Sequence, residues 1–174
     1  MRRTAAFGVC FAALAVPAAV SAMVLAPGDG SLVVKDASGP RTGNVPVVAL
    51  TITGAAIGHV DQGRIVIDNG ATAEVTRGTG VFWSKDSTIS ATAQMWGGTD
   101  FKFRAVGSGK YTILIYGSGI DVVALGTGTV SLTGLADDPL NDGKYSLNGK
   151  AFVSLPGMTG KLLTIGTTSS SSNG

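Results

Sequence analysis

The chain has 174 residues, with 13 Lys and Arg against 11 Asp and Glu, one His and one Cys. The first 22 residues carry Arg2, Arg3 and Cys10, so the remainder has 11 basic and 11 acidic residues and no cysteine. A charge-balanced, thiol-free chain offers no electrostatic case for nucleic acid and no disulfide or thiolate metal site, while about 150 residues suffice for one core.

The N-terminus reads as an export signal. Arg2 and Arg3 precede an almost wholly apolar run from Ala5 to Val20, and Val20-Ser21-Ala22 has the small residues that a signal peptidase requires. Met23 is the expected mature start. The run is shorter than the ~20 residues of a membrane-spanning helix and is broken by Pro17, so no integral span is expected after cleavage. Cys10 lies too close to the arginines for a lipid-modified cysteine, which follows a full apolar segment.

An N-terminal segment, 23–45, holds a first candidate strand at 31–36, and an antiparallel β-domain is expected over 46–165. Period-two patterning, with β-branched and aromatic residues, places further strands at 46–57, 64–67, 72–76, 80–84 and 88–95. Between Gly97 and Gly134 four short strands are expected, at 100–106, 110–116, 120–125 and 129–133. Phe101, Phe103 and Ala105 alternate with Lys102 and Arg104, whereas 110–116 and 120–125 are apolar on both sides, as central strands are. Their separators, Gly107-Ser108-Gly109, Gly117-Ser118-Gly119 and Gly126-Thr127-Gly128, read as tight hairpin loops. Strands at 144–147, 151–155 and 161–165 complete the domain, and the Ser/Thr-rich tail 166–174 is expected to be disordered. No stretch supports a long amphipathic helix. The expected fold is therefore all-β, an antiparallel meander forming a β-sandwich or flattened β-barrel. The roughly ten-residue spacing of the separators leaves a β-solenoid as the alternative.

Few residues carry reactive chemistry. His59 is the single histidine, so a Ser-His-Asp triad or histidine metal site must use it, and Asp61 two positions on shares its strand face. The segment 58–63 nevertheless reads as a strand end entering a turn, and no Gly-x-Ser-x-Gly elbow occurs. Asp137, Asp138, Asn141 and Asp142 could surround a hard cation, but the spacing of a helix-loop-helix calcium site is absent and Pro139 with Gly143 indicates a solvated turn. Neither metal nor cofactor is expected. The Gly-x-Gly repeats lack the lysine and the following helix of a phosphate loop. Leu155-Pro156-Gly157-Met158-Thr159-Gly160 has one residue too many for a wall-sorting signal and reads as a loop between the last two strands.

Aromatic residues supply the candidate ligand contacts. Trp83, Trp96 and Tyr116 lie in or beside predicted strands, where an exposed ring could stack on a sugar or another apolar ligand. The run Asp100-Phe101-Lys102-Phe103-Arg104-Ala105-Val106, then Tyr111-Thr112-Ile113, Gly117-Ser118-Gly119-Ile120-Asp121 and Gly126-Thr127-Gly128-Thr129-Val130, resembles uncharacterised secreted β-rich proteins of actinobacteria, chiefly over residues 63–134. That resemblance implies an exported all-β domain and carries no catalytic residues. The leading expectation is a secreted or envelope-associated, non-enzymatic module acting by surface recognition or self-association. A carbohydrate- or lipid-binding domain using Trp83, Trp96 and Tyr116 is the alternative, and a small secreted hydrolase is a third reading.

Overall fold

A computed structural model describes residues 26–39, 44–68, 70–76, 82–85, 92–135 and 143–166, with 82–85 described in backbone alone. The expected signal peptide, the Asp137–Asp142 segment and the tail from 167 lie outside the described residues. Among the described residues eight strands form one antiparallel sheet that is not closed into a barrel. They are β1 (Gly30–Ala37), β2 (Val48–Asp68), β3 (Thr72–Thr76), β4 (Phe82–Lys85), β5 (Gln94–Leu132), β6 (Lys144–Leu147), β7 (Val153–Ser154) and β8 (Lys161–Ile165). The all-β antiparallel class is as the residue pattern predicts. Every described pairing is antiparallel, which differs from the stacked parallel coils of a solenoid.

The predicted hairpins between Gly97 and Gly134 are not formed. Residues 94–132 are one strand of 39 residues, and 58–63 lies inside the 21-residue β2 rather than at a turn. Val48 and Ile65, at opposite ends of β2, both partner Ile115. Seventeen extended residues span about 56 Å, whereas two strands flanking a third lie about 10 Å apart. So β2 must coil back on itself, and β5 winds along both its edges.

This winding folds the sheet over a single core. One layer contains β4, 94–97, 64–68, 111–115, 48–52, 128–132 and β8, in that order of pairing. The second contains β3, 102–106, 55–60, 120–126, β1, β6 and β7. One apolar cluster draws Leu50, Ile113 and Ile165 from the first layer and Leu32, Phe101 and Val122 from the second. Each such side chain, fully buried, contributes roughly 1.5–3 kcal/mol. Trp96 and Tyr145 belong to the same core.

Glycines mark the corners. Gly54 faces Gly107 on one side and Gly126 on the other, and Gly126 in turn faces Gly30; Gly63 faces Gly98 and Gly117. At these rows the backbone leaves ordinary strand geometry: φ is 141° at Gly54, 140° at Gly126 and 128° at Gly117. A Cβ on Gly126 would collide with the Thr53 carbonyl oxygen, and one on Gly117 with that of Gln62. The burial alternation also changes phase at corners, from Val60 to Ile65 in β2 and from Ile115 to Ile120 in β5. A true two-residue turn occurs instead at Asn148-Gly149, where both φ values are positive and Lys150 N donates to Leu147 O at 3.1 Å.

Tyr111 locks one corner. Its ring covers Gly107, and its hydroxyl proton is shared between the carbonyls of Gly54 (3.2 Å) and Ala105 (3.1 Å). Burial pushes its phenol up to about 12.

Two outcomes follow from this construction. Gly126→Ala is expected to cost about 3 kcal/mol in urea unfolding, because strain and a backbone clash combine. Gly109→Ala, with nothing within 4 Å of the new Cβ, should change stability by less than about 0.5–1 kcal/mol. For Tyr111, the folded state holds the proton more tightly than the unfolded chain. Its contribution is therefore complete below pH 10 and is lost as pH rises from 10 to about 12, a difference of about 2–3 kcal/mol. Tyr111→Phe should lose about 1 kcal/mol at neutral pH and show a shallower alkaline decline in denaturation midpoint.

Candidate functional site

Trp96 and Tyr116 do not share a face, since they oppose the neighbouring residues Ile65 and Arg64. Trp96, predicted as a ligand platform, is 7% exposed and packs in the core, because register with β2 sets it opposite the fully buried Ile65. Trp83 pairs with Trp96 across β4 and β5, but its side chain lies outside the described residues. Tyr116 is half-buried on the outer face, where the Arg64 guanidinium covers its ring at 4.2 Å and donates to Asn44 Oδ1 at 3.2 Å. A cleft of about 720 Å³ opens at the Gly63–Gly117 corner, lined by Ser38, Gln62, Ser118 and Leu135 beside three glycines, with no aromatic ring.

A more coherent surface lies on the outer face of the second layer. In an antiparallel pair, directly opposed residues share a face. Val33 opposes Val123, Val123 opposes Ile57, Ile57 opposes Arg104, and Arg104 opposes Glu74, producing a row that crosses β1, β5, β2, β5 and β3. Ile57 and Val123 are 44% and 37% exposed. Beside this apolar row runs a polar one, in which His59 is flanked by Lys102 and Asp121, with Lys35 on β1. Between them is an open groove of about 380 Å³. Gly58 lies in the same groove, and its missing side chain leaves room for the Phe103 ring beneath.

His59 forms the best-defined polar cluster. Its Nδ1 lies 3.5 Å from Asp61 Oδ1, as two residues on one strand face permit, and its Nε2 lies 2.8 Å from Asp100 Oδ1. Asp100 comes from β5, with φ of 50° at the corner next to Gly98. The register on either side, Val60 with Phe101 and Gln62 with Thr99, leaves the two aspartates facing each other, and the imidazole bridges them. The carboxylates address opposite ring nitrogens, so their oxygens do not converge on one point. Among the described residues no three His, Cys, Asp or Glu side chains are arranged to hold a metal.

Asp121 is engaged elsewhere, accepting from the Asp36 amide at 3.0 Å. The partnership of His59 with Asp100 crosses 41 residues and depends on strand register, so no local sequence signal announces it.

His59→Ala would leave two like charges opposed. Because the carboxylates are 67% and 82% exposed, the expected loss is less than about 1 kcal/mol, shrinking as salt rises from 0.1 to about 1 M. Urea midpoints at the two salt concentrations measure it. Among the described residues no helix is long and apolar enough to cross a membrane. No protein-family model, curated protein or solved structure matches this chain.

Proposed function

We propose that this chain is an exported, non-enzymatic β-module of the cell envelope that acts by surface recognition through the outer face of its second layer. The observation that carries the reading is the apolar row Val33–Val123–Ile57, which crosses three neighbouring strand segments on a face turned to solvent. An antiparallel sheet with one face on the core ordinarily presents alternating polar residues on the other. A contiguous apolar strip with a charged border is the pattern of an interaction surface. The basic and apolar leader with its small-residue cleavage pattern supplies the export element, and the resemblance to secreted actinobacterial β-rich proteins agrees with it.

Self-association is the second reading, favoured by the edge strand β8, where Leu162 is 72% exposed. Unpaired strand edges template pairing with another chain.

Fractionation of cells producing the full chain tests the main reading. The protein should be recovered with the envelope, and Ile57→Glu/Val123→Glu should release it to the medium by about tenfold, with unchanged thermal unfolding. Retention of the folded double variant would count against this face. A concentration-dependent dimer in sedimentation that Leu162→Lys disperses would favour self-association.

A further inference from the structure

The outer face of the second layer ends in an arrangement that wants an anion. Lys35 of β1 and Lys144 of β6 are directly opposed cross-strand partners. Like charges in that position repel, and antiparallel pairs ordinarily avoid them. Both ammonium groups instead lean over one ring: Lys35 Nζ lies 5.5 Å and Lys144 Nζ 5.8 Å from the centroid of Phe152. Phe152 is itself 44% exposed. The ion pairs among the described residues are those of His59, so neither lysine is neutralised by a carboxylate there. Asp121, which lines the groove, accepts from the Asp36 amide.

We infer that Lys35, Lys144 and Phe152 form a docking site for an anionic lipid surface. The inference rests on the recognition reading above and names its partner. Charge complementarity selects a negatively charged partner, since two opposed ammonium groups with no carboxylate partner among the described residues are relieved by phosphate oxygens. The exposed ring selects a partner that also offers hydrocarbon. An anionic bilayer supplies both within a few ångströms: phosphates at the level of the lysines, and the acyl boundary for Phe152. The Val33–Val123–Ile57 row continues the apolar contact away from the lysines, and exposed Lys102 borders its far end. A soluble anionic polymer would satisfy the charges and leave the ring and valines in water.

Vesicle co-sedimentation of the full secreted protein at about 0.1 M salt tests this. Vesicles of phosphatidylglycerol and phosphatidylcholine should bind it, and pure phosphatidylcholine vesicles should not. Lys35→Gln/Lys144→Gln should weaken binding about thirtyfold. The charge-matched control Lys110→Gln/Lys161→Gln, altering exposed lysines elsewhere, should leave it within about twofold. Phe152→Ser should weaken binding while the thermal unfolding curve is kept. Equal weakening by both lysine pairs would overturn the site, because bulk charge would explain it. Equal or tighter binding to water-soluble poly(glycerol phosphate) would overturn the lipid assignment in favour of an anionic polymer. Absence of vesicle binding by a protein still retained in the envelope through Ile57 and Val123 would overturn the lipid partner alone. Loss of that retention would count against the recognition reading itself.

Discussion

The geometry of this protein depends on backbones that pass one another at the corners of its sheet with nothing between them. Strands of 21 and 39 residues are far longer than a core of this size can accommodate straight. Where Gly54 meets Gly126, and Gly63 meets Gly117, each Cα approaches the opposite chain so closely that a single Cβ would strike a carbonyl oxygen. The positive φ values there permit a sharp bend while the hydrogen-bond ladder continues on either side. In most β-domains the ladder stops at a turn and restarts. Here it is carried round the corner, and one strand contributes to both layers.

That continuity explains the apolar character of the middle of the chain. Residues such as Leu114, Val123 and Leu125 oppose the buried set along β5 and lie on the outer side, half-buried or exposed. They are not covered by a second sheet, so their apolar surface is left facing outward. The same winding places Val123 beside Ile57 and Val33, residues from three separate parts of the sequence, and so assembles the row on which the proposed recognition depends.

The polar groups of that face follow the same logic. His59 lies within a central strand, held between two carboxylates that address its opposite nitrogens. The imidazole lies between Asp61 and Asp100 and joins the two strands at that point. At the far end of the face, Lys35 and Lys144 are directly opposed and lean over Phe152.

Local patterning was enough to recognise an all-β antiparallel chain, because alternation of side chains is a property of the strand itself. The strands 72–76, 144–147 and 161–165 are found where that alternation places them, and Asp61 lies beside His59 because i and i+2 share a face. The glycines were legible as points where the backbone departs from strand geometry. Whether such a point is a hairpin or a bend in an unbroken ladder depends on what lies opposite, and the partners of Gly54, Gly117 and Gly126 are distant in sequence. The inward turn of Trp96, the approach of Asp100 to His59 and the meeting of Lys35 with Lys144 were decided in the same way. Each rests on register between segments far apart in the chain, which only the folded sheet specifies.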